Sequence, residues 1–130
     1  CSLQPDARKV LDHLRSKGVK QYVLSAMQHT MLEETLKHQK IYAYFKGVAG
    51  LDHHYATSKI ERGKELIAKF NIDKEKTTMI GDTIHDFEVA EKLGIHCLLI
   101  ANGHQSEDRL KSTGARVIQG LNDLLKNGLI

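Results

Sequence analysis

Residues 77–86 read TTMIGDTIHD and lead from a short apolar run through a glycine to a pair of carboxylates. The run Thr77–Ile80 is rich in strand-forming residues, which predicts a strand that ends at Gly81. Beyond it, apolar residues recur at helical spacing from Phe87 until Gly94, a typical helix stop. The stretch therefore predicts a strand that passes directly into a helix, with both carboxylates at the junction.

Strand and helix patterns alternate along the rest of the chain. The predicted strands are 21–24, 47–51, 77–80, 96–100 and 116–118, and the predicted helices are 5–17, one opening at Thr30, one opening at Lys59, one around 87–93, one from Ser106 to Thr113 and one around 121–125. Such alternation is typical of a mostly parallel sheet covered by helices on both faces. The sequence therefore predicts a doubly wound α/β fold.

Helix-start signals sharpen two of these predictions. Thr30-x-x-Glu33 and Ser58-x-x-Glu61 both resemble capping boxes, in which a hydroxyl and a carboxylate satisfy the first backbone N–H groups. The second box would make Lys59 the first helical residue. We predict that this helix ends at Asn71 and buries a stripe of three residues, Ile60, Ile67 and Phe70.

Length and composition set broad limits on function. The 130 residues are 41% hydrophobic and 27% charged, which predicts one domain over residues 1–130. The longest apolar runs are far shorter than the roughly 20 residues that cross a bilayer, so we predict a cytoplasmic protein with no membrane partner. Lys and Arg total 19 against 16 Asp and Glu, and they are scattered, which argues against a nucleic-acid partner.

The two carboxylates of the deciding stretch, Asp82 and Asp86, are the sharpest chemical signal. In doubly wound folds ligands bind outside the carboxyl ends of the strands, where Gly81 and Asp82 fall. Hard cations such as Mg²⁺ prefer oxygen ligands, so the pair is suited to a magnesium site. The alternative is structural: Thr83 caps the helix, Asp86 completes a capping box and Asp82 favours the helix dipole.

Two further residues could bring phosphate-binding groups to the same edge of the sheet. Ser25 follows a predicted strand, and its hydroxyl with the next backbone N–H groups could hold a phosphoryl oxygen, although serine at this place is often a simple turn residue. Lys59 could add a positive charge from the start of its helix. Lys64 competes with it, and most lysines are merely solvated.

Taken together, these motifs resemble the haloacid dehalogenase superfamily of phosphohydrolases, nearest its phosphoglycolate phosphatase-like branch. The resemblance spans nearly the whole chain and is carried by Leu24-Ser25, Lys59, Ile80 to Asp86, Ala90 and Leu93-Gly94-Ile95. In that family a lysine lies roughly two dozen residues before the Gly-Asp pair. Lys59 lies 22 residues before Gly81 and Lys64 only 17, which favours Lys59.

The resemblance implies a role for each matched residue. Ser25, the backbone N–H of Ala26 and Lys59 would bind and neutralise the transferring phosphoryl group. Asp82 would ligate Mg²⁺, and Asp86 would support the metal site through water. The substrate would be a small phosphorylated metabolite, and charge stabilisation of this kind suits phosphoryl transfer.

One family motif is missing. The Asp-x-Asp motif that supplies the nucleophile and the general acid and base occurs nowhere in these 130 residues. In the family its strand is central, between the strands that end at Ser25 and Gly81. Neighbouring strands lie about 4.8 Å apart, so its absence would leave a gap too wide for hydrogen bonds. We expect an upstream segment to bring the nucleophile, the strand and a helical cap; otherwise the chain would be a non-catalytic remnant.

Two other function classes are compatible with these motifs. A regulatory module could keep the phosphate and Mg²⁺ site without turnover, and an unrelated doubly wound domain is a third possibility. The eight histidines show no spacing typical of structural zinc. Tyr42, Tyr44 and Phe45 are expected to pack locally rather than stack on bases.

Overall fold

The computed structural model describes residues 6–51, 58–101 and 107–126. The strands within these residues are β1 (Tyr22–Gln28), β2 (Gly47–Leu51), β3 (Thr78–Gly81), β4 (His96–Ile100) and β5 (Arg116–Ile118). The helices are α1 (Ala7–Ser16), α2 (His29–His38), α3 (Lys59–Phe70), α4 (Ile84–Leu93), α5 (Glu107–Lys111) and α6 (Asn122–Lys126). Short 3₁₀ turns at Tyr42–Tyr44 and Lys74–Lys76 precede β2 and β3.

The strands form two parallel sheets in the described part of the chain. β1 pairs with β2, and β4 lies between β3 and β5. Strands and helices alternate, so the predicted α/β fold with parallel pairing is confirmed. The two sheets are not hydrogen-bonded to each other within the described residues. The expected discontinuity between the strand of Ser25 and the strand of Gly81 is therefore observed.

The edges of β1 and β3 at this discontinuity can be assigned from their pairing on the other side. The Lys46 N–H donates to the Gln21 carbonyl at 2.7 Å, and peptide groups alternate along a strand, so Tyr22 and Leu24 present theirs to the edge away from β2. The His96 N–H likewise donates to the Thr77 carbonyl at 3.0 Å. The corresponding groups of β3 are those of Thr78 and Ile80.

Helices join the two sheets on both faces. Val10 and Leu14 of α1 pack with Leu98, Ile100, Ile118 and Leu124 in one buried cluster. Leu11, on the same helix, packs against the second cluster, Leu32, Leu36 and Ile41. On the other face, Gly63 of α3 packs against both α4 and β1, since a Cβ there would come 2.6 Å from Leu93 of α4 and 3.1 Å from Leu24 of β1, and α4 in turn covers β3 and β4. The two sheets therefore share packed helices although their strands do not meet.

Most predicted helix ends are confirmed, and one is wrong. Ser58 caps α3 through the N–H of Glu61, and Asn71 ends it in the left-handed conformation. Thr30 does not cap α2. The side chain of Gln28 accepts the N–H of Met31 instead, so α2 begins one residue before Thr30.

Other boundaries shifted by a few residues. β1 continues to Gln28 rather than stopping at Leu24, although its regular register with β2 breaks after Leu24. α1 and α5 are shorter than predicted, and Pro5, the Asn102-Gly103 turn and the Ser106 cap lie outside the described residues. Ile60, Ile67 and Phe70 are only half-buried, because Gly63 makes the closest approach of α3 to its neighbours.

One further local prediction is confirmed by the packing. Tyr42, Tyr44 and Phe45 pack against the second buried cluster, as expected of local packing residues. Across the described ranges, no helix has both the length and the apolar character required to cross a bilayer.

Candidate active site

The turn between β3 and α4 gathers polar groups around one carboxylate. Thr83 caps α4 by accepting the N–H of Asp86, and Asp86 Oδ2 in return accepts the N–H groups of Asp82 at 3.0 Å and Thr83 at 3.2 Å. The Thr83 hydroxyl donates to the same oxygen at 3.1 Å. The capping box that was the structural alternative for this stretch is therefore formed.

Lys59 reaches this carboxylate from a different element. The lysine opens α3, and its Nζ lies 2.9 Å from Asp86 Oδ1 although the two residues are 27 positions apart. Their side chains are only 16% and 12% exposed. Lys64 is exposed, and Lys59 is the lysine that the fold brings to the Gly-Asp turn. Both oxygens of Asp86 are thus occupied by donors from the chain.

The charge state of Asp86 follows from these contacts. Burial alone would raise the pKa of its carboxyl. The hydrogen bond and positive charge of Lys59, together with the donors at Asp82 and Thr83, outweigh burial and hold the pKa below its ordinary value. Asp86 is therefore ionised at neutral pH, and the lysine and carboxylate form a shielded ion pair.

Gly81 is required by this arrangement. A Cβ on Gly81 would lie 2.4 Å from the Asp86 Cβ and 2.5 Å from its Oδ2, closer than atoms can approach. Gly81 is thus the residue at the end of β3 that leaves room for the Asp86 side chain to fold back over the turn.

Ser25 lies at the irregular end of β1, where Leu24 pairs with Ala49 and Gln28 with Leu51, so that five residues of β1 run beside three of β2. Its hydroxyl oxygen accepts the N–H of Met27 at 3.1 Å, which is a local turn contact. Ala26 is exposed. In the described part of the chain no hydrogen bond joins Ser25 to Lys59 or Asp86, whereas the lysine and aspartate motifs meet in an ion pair.

The donor set can be tested for its fit to a hard cation. Asp82 is half-buried at the carboxyl end of β3, and a carboxylate there suits Mg²⁺. Asp86 already accepts four hydrogen bonds, about the full capacity of a carboxylate. In the described part of the chain no three His, Cys, Asp or Glu side chains come together. The residues fit a cation held directly by Asp82, with further ligands from elsewhere.

Sequence reasoning missed two side chains that hold the end of β2. Arg62 Nε donates to the Gly50 carbonyl at 2.7 Å, and the Gly50 N–H donates to His29 Nδ1 at 3.1 Å. The signals were weak: Gly50 is one of ten glycines, and His29 and Arg62 are ordinary polar residues of amphipathic helices. His29 and Gly50 are 21 residues apart in the chain and meet only in the fold, so no spacing in the sequence connects them.

These features define a class of protein first. A parallel α/β core with its polar site at the carboxyl end of β3 is a doubly wound fold with the ligand edge such folds use. A family model described as haloacid dehalogenase-like hydrolase matches residues 1–100, and the chain belongs to this family of hydrolases and phosphatases.

Individual relatives agree with this membership. A 5'-nucleotidase from Pseudomonas aeruginosa is 28% identical over 105 residues, which are 80% of this chain and 48% of the relative. A structure described as a predicted phosphatase from Clostridium acetobutylicum superposes with a TM-score of 0.88 at 23% identity, over 96% of this chain and 59% of that one.

A structure provisionally named a phosphoglycolate phosphatase, from Lactobacillus delbrueckii subsp. bulgaricus, superposes with a TM-score of 0.79 at 20% identity, over 97% of this chain and 53% of that one. These similarities support the phosphoglycolate phosphatase-like resemblance at the level of the fold. The chain spans about half the length of the curated relative that it matches.

Proposed function

We propose that this core serves a Mg²⁺-dependent phosphomonoester hydrolase that acts through an aspartyl-phosphate. The observation that carries the proposal is the ion pair between Lys59 and Asp86, with 2.9 Å between Nζ and Oδ1, at the carboxyl end of β3. It brings a cation and the acidic Gly-Asp turn to one place. Family membership supports hydrolase chemistry at that place.

In this proposal Lys59, Ser25 and Ala26 handle the phosphoryl group. Lys59 is held with little exposure beside the turn, so its positive charge would act in a partly desolvated environment, where it is most effective against the charge of a transferring phosphate. The Ser25 hydroxyl and the Ala26 N–H would each donate a hydrogen bond to a phosphoryl oxygen from the end of β1. Lys59 would share its protons between Asp86 and the phosphate.

Asp82 and Asp86 take different parts in the proposed metal site. Asp82 would bind Mg²⁺ directly. Asp86 would support the site by fixing the Asp82 N–H, and the support through water expected from the resemblance would require one of its four present donors to move. Bound Mg²⁺ would neutralise phosphate charge and orient the phosphoryl group for attack. No other residue of the described chain is assigned to the metal.

The nucleophile is proposed to come from a segment that occupies the gap between β1 and β3. Its aspartate carboxylate would attack phosphorus while the bond to the substrate oxygen breaks, and the departing alcohol would take a proton from the second aspartate of the same segment. Water would then cleave the acyl phosphate, which releases inorganic phosphate and restores the carboxylate. The open edges at Tyr22, Leu24, Thr78 and Ile80 support this placement.

The substrate is proposed to be a small phosphorylated metabolite. The curated relative is named a 5'-nucleotidase, and one similar structure carries a phosphoglycolate phosphatase name, so both point to small phosphomonoesters. Restriction to such substrates, a cytoplasmic location and the one-domain organisation stay predictions.

Activity with the full-length natural protein tests the chemistry. We expect hydrolysis of para-nitrophenyl phosphate that needs Mg²⁺, stops with EDTA and falls at least about a hundredfold in Asp82→Asn. Glu88→Gln, an exposed change on α4, is the matched control and should keep full activity. Acid-quenched enzyme should carry one phosphate on an aspartate outside residues 1–130. Activity that persists in Asp82→Asn would overturn the assignment.

The alternative function, that of a non-catalytic binding module, predicts a different result in the same assay. A non-catalytic module would bind inorganic phosphate and Mg²⁺ but never turn over substrate. The denaturing mass of the natural protein distinguishes the two readings, because a mass above 14.6 kDa leaves room for the nucleophile segment. A natural mass of 14.6 kDa with phosphate binding and no turnover would favour the module.

Amide hydrogen exchange tests the occupied gap independently of activity. Comparing the 130-residue chain with the full-length protein, we expect the amides of Leu24 and Ile80 to become protected in the longer protein. Val23 and Met79 face β2 and β4 and should be protected in both, which makes them matched neighbours. Equal exchange at Leu24 and Ile80 in the two proteins would place the segment elsewhere.

A further inference from the structure

The backbone N–H and carbonyl of Gly50, at the end of β2, are each hydrogen-bonded to a side chain of a different helix. Its N–H donates to His29 Nδ1 at 3.1 Å, at the start of α2. Its carbonyl accepts from Arg62 Nε at 2.7 Å, in the first turns of α3. We name this arrangement, formed by His29, Gly50 and Arg62, the Gly50 clamp.

The clamp depends on close approach. A Cβ on Gly50 would lie 2.7 Å from both the His29 Cα and the Met27 carbonyl oxygen, so no larger residue fits without movement. Gly50 is buried, while His29 and Arg62 are half-buried. Hydrogen bonds at such a place are shielded from water, and each therefore fixes its partners more firmly than an exposed one.

Surrounding residues hold both side chains of the clamp. The Gly50 N–H needs an acceptor, so His29 Nδ1 is the unprotonated nitrogen and the proton is on Nε2. His29 Nε2 lies 3.2 Å from Glu33 Oε1, and the Tyr42 hydroxyl donates to the other oxygen of Glu33 at 3.0 Å. Arg62 is paired with Glu65. Each clamp residue thus has a second partner that restricts its orientation.

The clamp lies one helical turn from the proposed phosphate-site lysine. Arg62 is three residues after Lys59, on the same side of the first turn of α3. The N–H of Arg62 also donates to the Ser58 carbonyl at 3.0 Å, so the residue that grips Gly50 belongs to the turn that presents Lys59. Lys59 itself lies 2.9 Å from Asp86. A continuous set of contacts therefore runs from α2 through β2 and α3 to α4.

We propose that His29 and Arg62 are positioning residues that, through the Gly50 peptide, fix the first turn of α3 and so hold Lys59 against the Gly-Asp turn. The inference rests on the proposed function for the role of Lys59 in phosphate binding. It adds two residues, on elements outside the β3–α4 turn, to the set that determines the geometry of the site.

Lysine acylation measured by mass spectrometry tests the positioning role directly on the 130-residue chain. Lys59 is shielded and paired, so it should react slowly with a water-soluble acylating ester, whereas the exposed Lys64 on the same helix should react quickly. In His29→Leu and in Arg62→Met we expect the Lys59 rate to rise about threefold to tenfold, with Lys64 unchanged.

The conservative variant His29→Asn separates positioning from general destabilisation. The asparagine Oδ1 can occupy the place of the imidazole Nδ1 and accept the Gly50 N–H, but it cannot reach Glu33. We expect Lys59 in His29→Asn to react as slowly as in the unaltered chain. If His29→Leu fails to fold, Arg62→Met with its native-like circular dichroism as a check still decides the question.

A second measurement keeps this inference distinct from the proposed function. Inorganic phosphate binding, followed by ³¹P nuclear magnetic resonance, should weaken about threefold to tenfold in Arg62→Met and be kept in His29→Asn. Faster Lys59 labelling with no phosphate binding in any variant would leave the clamp intact and refute the phosphate site. An unchanged Lys59 rate in both His29→Leu and Arg62→Met would overturn the clamp.

Discussion

The two sheets differ in how fully they are built. In the three-stranded sheet β4 is flanked on both sides, and Leu98, Leu99 and Ile100 are buried, Leu99 completely. In the two-stranded sheet β1 has one neighbour among the described strands, and Tyr22, Val23 and Leu24 are only half-buried. Two-stranded sheets are marginal on their own, so β1 and β2 depend on the helices that cover them.

This difference shows where stability and chemistry lie in the chain. The buried interior belongs mainly to the three-stranded sheet with α1, α4 and α6. The polar site lies at its border, where α3, which packs on β1 and β2, sends Lys59 to Asp86 on α4. The Lys59–Asp86 contact, which connects the helices of the two sheets, is thus also the contact on which the proposed function rests.

The largest expected effect on stability comes from truncating a buried side chain on the central strand of the three-stranded sheet. Leu99→Ala should cost about 2–5 kcal/mol of unfolding free energy, because Leu99 is fully buried and its removal leaves a cavity. Val23→Ala in β1 removes a half-buried side chain and should cost about 1 kcal/mol. Urea unfolding of both variants measures the comparison. Equal costs would mean that the two sheets are equally well packed.

Gly81→Ala should have the next largest effect, about 1–3 kcal/mol, because the new Cβ collides with Asp86 and must push it from the turn. The same change should also loosen the contact of Asp86 with Lys59 across the border. Gly120→Ala is the matched control, since a Cβ there meets no atom within 4 Å. Thermal unfolding of the pair checks the prediction, which would be contradicted by equal melting temperatures.

The ion pair at the border should make stability depend on acid. The pKa of Asp86 is lower in the folded chain than in the unfolded chain, so its ionised form stabilises the fold above the unfolded pKa, about 4. That contribution is lost as pH falls through the lower folded pKa. Urea unfolding from pH 7 to 2 should show the loss. Asp86→Asn should flatten this part of the curve, whereas Asp108→Asn, an exposed change on α5, should not.

The smallest effect concerns reactivity rather than stability. Burial, helped by the negative charge of Asp86, raises the pKa of the Cys97 thiol on β4 to about 11. The thiol is therefore protonated at pH 8 and should react with iodoacetamide more slowly than a free cysteine. Peptide mapping follows Cys97 specifically. Asp86→Asn should speed the reaction slightly, and a rate equal to that of the unfolded chain would show that β4 is poorly covered.

The fold was largely predictable because its signals are local. Two helices begin at Ser58 and Thr83 and end at Asn71 and Gly94, as these residue types indicate, since a capping side chain or a left-handed turn needs only its neighbours. The lack of pairing between β1 and β3 among the described residues was also predictable, because the Asp-x-Asp motif is absent from these 130 residues. The predicted start of α2 at Thr30 was wrong because the side chain of Gln28, an unusual helix cap, accepts the N–H of Met31 and starts the helix earlier.

The site was predictable only in part. The pairing of Lys59 with Asp86 follows the motif spacing, and Lys59 rather than Lys64 is the lysine that meets the turn. Ser25 was expected beside them, and in the described residues its hydroxyl accepts a local hydrogen bond from Met27 instead of pairing with either. The Gly50 clamp was not predictable from the sequence, since its three members lie on different elements and meet only when α2, β2 and α3 pack together.

The open edges of β1 and β3 carry a consequence for how the chain behaves in solution. Neither Tyr22–Gln28 nor Thr78–Gly81 contains a charged residue, and Ile80 keeps 38% of its surface exposed. Uncharged strand edges readily pair with other exposed strands, which is the usual start of ordered aggregation. The 130-residue chain should therefore aggregate more readily as its concentration rises. In a cell its lifetime would depend on how quickly those edges are covered after synthesis.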